Sequence, residues 1–132
     1  MVKLELEFFD TYKVEEKSVG PNETERVLSR YWELCEGELS SSRSVIEVFV
    51  PTDKKILFFG PGYTQSDEPR THVYWEEVYI LEGRLYDRTL ERWISPGGFC
   101  CRPPGMVHGP YTADPEVGCK QLVTLTYDKP TF

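Results

Sequence analysis

No stretch of this sequence comes near the ~18 consecutive apolar residues that a membrane-spanning helix needs. There is no Cys-x-x-Cys pair, no glycine-rich phosphate loop and no Ser-His-Asp order, which removes zinc ribbons, phosphate-cradling loops and the common serine hydrolases. Positive charge is scarce: 15 Lys and Arg face 22 Asp and Glu, for a formal net charge of -7. Binding of nucleic acid or of an anionic membrane surface through bulk charge is therefore excluded. Glu5, Glu7 and Asp10 interrupt the N-terminal stretch before an export-signal core can form. The four cysteines, Cys35, Cys100, Cys101 and Cys119, are accordingly expected as reduced thiols in a cytoplasmic protein.

Helical periodicity is nearly missing too. The one helix candidate spans 22–36, where Asn22 offers a cap, Glu25 completes a capping box, and Val27, Leu28, Tyr31 and Leu34 recur at helical spacing. The same segment reads alternatively as a bent strand, because Tyr31 and Trp32 suit a sheet. What is abundant is strand signal. Short apolar or alternating runs fall at 44–50, 55–59, 71–74, 77–81, 84–86, 92–94, 99–102 and 120–127, each bounded by Gly, Pro, Ser or Asp. Leu4 to Phe8 alternates as well, and reads as a first strand or as an arm added to a partner's sheet. With 132 residues and 39% hydrophobic content, the chain fills one all-β domain, a sandwich or barrel with at most one or two short helices. Its N-terminal arm covers 1–20 and its core about 43–128.

The two histidines stand in distinctive surroundings. Period two places Arg70, His72 and Tyr74 on one face of an extended segment, with Glu76 after a kink and on the parity of Val78 and Ile80. His108 follows Pro103-Pro104-Gly105, a stiff turn that aims its imidazole at one place, as a metal or a reacting group requires. Arg70-x-His72-x3-Glu76-x6-Gly83 and Gly97-x5-Pro103-x-Gly105-x2-His108 resemble the two motifs of the cupin superfamily, closest to ChrR-like cupin domains. The match covers about a third of the chain. It departs from the family pattern at Arg70, which stands for the first histidine, and at Thr112, which stands for the usual asparagine.

The resemblance implies a double-stranded β-helix, or jelly-roll, barrel holding a divalent metal, Fe(II), Mn(II), Ni(II) or Zn(II), on His72, Glu76 and His108. Arg70 has no lone pair to give a metal. Either three ligands remain and Arg70 holds a substrate oxygen beside the ion, or the metal is lost and Arg70 pairs with Glu76. Parity within such a barrel puts Val78, Ile80, Phe99 and Cys101 on the pocket wall, with Met106 and Tyr111 at the mouth and Gln121 as a weak metal neighbour or substrate contact. Arg84, Arg88, Arg92 and Arg102 are expected on solvated faces.

The function expected from this set is a small metal-dependent enzyme acting on an oxygen-rich molecule such as a β-dicarbonyl, keto acid or catechol, with dioxygenase chemistry preferred and Arg70 and Tyr74 orienting substrate or moving a proton. A metal-dependent isomerase, lyase or decarboxylase, and a non-catalytic binding or sensor domain, are the alternatives. A homodimer built through terminal strands is expected.

Overall fold

The computed structural model describes residues 6–38 and 45–127, with side chains for 6–30 and 52–127. Among the described residues nine strands follow a single 3-10 turn at Thr11–Lys13: β1 Lys17–Gly20, β2 Glu23–Glu38, β3 Val45–Phe59, β4 Trp75–Gly83, β5 Leu85–Asp87, β6 Arg92–Ile94, β7 Phe99–Arg102, β8 Tyr111–Ala113 and β9 Cys119–Thr126. They form a six-stranded sheet in the order β1-β2-β3-β9-β4-β7 and a three-stranded sheet in the order β6-β5-β8. All the pairings are antiparallel.

The architecture is all-β, and it is not a closed barrel. Each sheet has two open edges, β1 and β7 in the larger and β6 and β8 in the smaller. Where a closing ladder would run, the 60–74 connection supplies only two isolated bridge pairs, Thr64 with Thr112 and Arg70 with His108. The segment 71–74, expected as a strand, is therefore a connection that leads into β4. Of the N-terminal alternation, Leu6 to Phe8 forms no strand, and Leu4 and Glu5 lie outside the described residues.

The helix candidate over 22–36 is instead most of β2, the outer arm of a long hairpin with β3 that runs from Glu23 opposite Phe59 to Glu38 opposite Val45. Asn22 decides this locally. It sits at φ 57, a left-handed turn conformation, whereas a helix N-cap is extended. Its carbonyl accepts from Gly60 N at 2.9 Å and its amide donates to the Pro61 carbonyl at 3.0 Å. Glu25, free of any capping box, takes Lys55 Nζ across the strands at 2.8 Å.

The sheets enclose one core. β9 supplies the clearest period two, with Cys119, Gln121, Val123 and Leu125 buried and the residues between them only partly covered. Val78 and Ile80 of β4 share that inner face, and Leu85, Tyr111 and Ala113 of the small sheet close over it. The joint between the sheets is tight at Gly83. It has φ 70, and a Cβ there would stand 2.0 Å from the Gly118 carbonyl oxygen.

Gly97 has φ 91 but nothing within 4 Å of its would-be Cβ. Gly97→Ala should thus cost only the left-handed backbone penalty, about 1 kcal/mol, and Gly83→Ala at least about 2 kcal/mol more, because backbone must move. Urea unfolding of the two variants measures the gap, and equal losses would contradict this account of the joint.

Candidate metal centre

The two histidine segments are brought together by backbone hydrogen bonds. Arg70 N donates to the His108 carbonyl at 2.8 Å and His108 N donates to the Arg70 carbonyl at 2.9 Å. Gly105 N donates to the His72 carbonyl at 2.8 Å, which locks the proline turn against the segment carrying the other imidazole. Glu76 enters from β4, one turn of chain past His72. As a result one ligand atom from each of His72, Glu76 and His108 lies within 4.8 Å of the other two. The His72 and His108 ring centroids are 4.8 Å apart and tilted by 50°. His72 Nε2 is 3.5 Å from Glu76 Oε2.

This set is a potential three-ligand cluster for a divalent ion, and His108 shows how well it fits. The residue is 9% exposed. Its Nδ1 meets the Tyr111 hydroxyl at 3.2 Å, while its buried Nε2 has no hydrogen-bond partner among the described residues. A proton on Nδ1, donated to the Tyr111 oxygen, leaves the Nε2 lone pair free for a metal, the arrangement that orients ligand histidines generally. Burial, then the nearby Arg102 cation, pushes the His108 pKa down to about 4, so the ring is neutral at neutral pH. Two imidazoles and one carboxylate suit non-haem Fe(II) and also accept zinc.

Glu76 has a cation partner, and it is not Arg70. Arg102 Nη1 donates to Glu76 Oε1 at 2.9 Å, from a side chain 15% exposed. The two residues are directly opposed in the β4–β7 ladder. The expectation of a solvated Arg102 fails because β7 runs one residue out of phase with it. Val78 faces inward and stands opposite Cys100, so Cys100 and Arg102 face inward, while Cys101 is exposed and off the cleft wall. The phase of so short a strand is legible only from its partner. Arg88 is partly covered as well, donating to the Gln65 and Ser66 carbonyls. Arg84 stacks over Trp93 and pairs with Asp114 at 2.7 Å.

The cluster lies in a cleft between the sheets, with a cavity of about 230 Å³ lined by Arg70, Tyr74, Val78, Ile80, Phe99, Tyr111 and Gln121 among others. Phe99 reaches the rim while 62% exposed, and Met106, 47% exposed, is not part of the lining. Tyr74 stacks on His72 with centroids 4.7 Å apart. Burial, then Glu76, pushes its phenol up to about 12, so it carries its proton at neutral pH. Asp87, 4% exposed and absent from the sequence expectations, also lines the cleft, where its carboxylate accepts from Thr89 N and Leu90 N at 2.9 and 3.0 Å.

No protein-family model and no curated protein matches the chain. Solved structures do. An RmlC-like cupin from Shewanella frigidimarina is 13% identical over 97% of this chain and 96% of its own, with a TM-score of 0.64. The polyketide cyclase RemF from Streptomyces resistomycificus is 19% identical over 96% and 82%, with a TM-score of 0.63. The Rhodobacter sphaeroides SigE complex with the anti-sigma ChrR gives 13% identity over 88% of this chain and 51% of that one, with a TM-score of 0.59. At these identities the likeness is one of fold: the chain has a cupin-type fold, similar to that of these structures.

Removing Arg102 strands a largely buried carboxylate. Arg102→Met should destabilise the metal-free protein by about 2 kcal/mol, between the values for exposed and fully buried pairs. Adding Glu76→Gln should recover most of that loss in a double-mutant cycle followed by urea unfolding. Additive losses would show that the pair carries no coupling.

Proposed function

We propose that the protein is a small metal-dependent enzyme whose His72, Glu76 and His108 hold a divalent ion and whose cleft admits a small oxygen-bearing substrate, a β-dicarbonyl, keto acid or catechol-like molecule. The observation that carries this reading is the convergence of three donors around a buried, unpartnered His108 Nε2 at the bottom of a cleft. Two histidines and one carboxylate leave open positions on the ion for a bidentate oxygen ligand. The donor set favours Fe(II), and we assign oxygen-dependent cleavage as the reaction: both atoms of O2 enter the product, so no external reductant is required. Bound iron supplies Lewis acidity and the electron conduit to O2.

The chain's own side chains do the rest. Arg70, exposed at the lip of the cleft, can fork two hydrogen bonds onto a carboxylate or enolate oxygen. Tyr74 holds its proton and orients the substrate by donating it in a hydrogen bond. Val78, Ile80 and Leu85 provide a dry wall that keeps water from the reacting carbons. A second reading, non-oxidative isomerisation or cyclisation by the same ion, is supported by the solved neighbour that is a polyketide cyclase. A homodimer belongs to this proposal as well: the open edges β1 and β7 of the large sheet are available for pairing.

Protein freed of metal and then supplied with Fe(II), Mn(II) or Zn(II) should retain about one equivalent after desalting, and His108→Ala should weaken retention at least about tenfold. Elemental analysis checks both, and retention below about a tenth of an equivalent in the unaltered protein defeats the metal reading. Iron-loaded protein should consume O2 with a diketone or catechol panel, as followed with an oxygen electrode. Turnover that proceeds unchanged without O2 moves the assignment to the isomerase or cyclase reading.

A further inference from the structure

Gln121 occupies a place where an aliphatic side chain would pack without penalty. It is 3% exposed and stands in the ladder between Leu57 of β3 and Ile80 of β4. The alternation of β9 puts it on the inner face with Cys119, Val123 and Leu125, so its amide enters the cleft. Among the described residues Gln121 Nε2 has no hydrogen-bond partner. A donor kept dry and unpaired weakens a fold relative to an apolar side chain of the same shape. His108 Nε2 is unpartnered too, but a metal ion accounts for that lone pair. No ion accounts for an amide NH2 group, which offers hydrogens and not a lone pair. What it lacks is an oxygen acceptor on a bound molecule.

The surroundings narrow that molecule. Leu57 and Ile80 flank Gln121 in the ladder, and Val78, Leu85 and Val123 add apolar surface to a cleft whose lining also carries charged side chains. A flat ring with oxygens at its two ends would lay its faces on that apolar surface and keep its polar atoms for the groups at either end. We propose that Gln121 is the distal anchor of the substrate, donating through Nε2 to a hydroxyl or carbonyl oxygen on an aryl or cyclic β-dicarbonyl whose paired oxygens face His72, Glu76 and His108. This rests on the metal-dependent reading of the same cleft and gives that reading a substrate class.

Two probes test it on zinc-loaded full-length protein by titration calorimetry: benzoylacetone, and its analogue with a 4-hydroxyl on the phenyl ring. The unaltered protein should bind the hydroxylated probe about tenfold more tightly. Gln121→Met, matched in volume, should bind the two probes equally, keep its Zn(II) affinity within about twofold, and melt at a higher temperature without ligand. A preference that survives in Gln121→Met, or no preference in the unaltered protein, overturns the proposal. So does a tenfold loss of Zn(II) affinity in the variant, which would make Gln121 part of the ion's surroundings. Protein that binds Zn(II) but neither probe removes the substrate class alone, whereas protein that binds no Zn(II) removes the metal reading beneath it.

Discussion

A pair of backbone hydrogen bonds between Arg70 and His108 holds this site together. The two segments come from opposite sides of the chain's central strands, and neither belongs to a continuous ladder where they meet. The reciprocal bonds, with Gly105 donating to His72, fix the main chain beneath both imidazoles, and Tyr111 and Tyr74 then hold the rings. β4 then needs only its own pleat to deliver Glu76 to the same point. Removing that clasp would leave two histidines on separate loops and a carboxylate bound to an arginine.

Arg102 gives the site its second constraint. A carboxylate this deep requires a cation, and in the metal-free protein the guanidinium opposite it in the ladder is that cation. The pairing holds Glu76 Oε1 and leaves Oε2 toward His72. The carboxylate therefore presents one oxygen to the histidines, and its direction is set before any ion arrives.

The legibility of this protein in its sequence follows the length of the signals. The resemblance to the two cupin motifs, carried by Gly83, Gly97, Pro103 and Gly105, implies His72, Glu76 and His108 as a set. Of the long strands only β9 is plain, its alternation of Gln121, Val123 and Leu125 being the one the structure shows, whereas β3 reads as two runs, 44–50 and 55–59, that the structure joins. Short strands are not plain. β7 has four residues, and an error of one in its phase puts Cys101 inside and Arg102 outside, where the structure has Cys100 and Arg102 inside. At 22–36 the helical spacing of Val27, Leu28, Tyr31 and Leu34 lost to cross-strand pairing with β3, a tertiary preference that no local window contains. Closure of the sheets was likewise invisible: a run of strands announces β architecture, while the number of bridges across the 60–74 connection decides whether the sheets join.

The distribution of charge has a kinetic consequence. The chain as a whole is strongly acidic, at -7, yet the side chains lining the cleft include four cations, Lys55, Arg70, Arg92 and Arg102, against three carboxylates, Glu23, Glu76 and Asp87. An ion held by one carboxylate and two neutral imidazoles would add further positive potential at its base. An enolate or carboxylate guest is thus repelled by the body and welcomed by the hollow. Added salt shields the long-range repulsion more than the attraction across a few ångströms, so such a guest should arrive faster as ionic strength rises, the reverse of a protein that steers its ligand from afar.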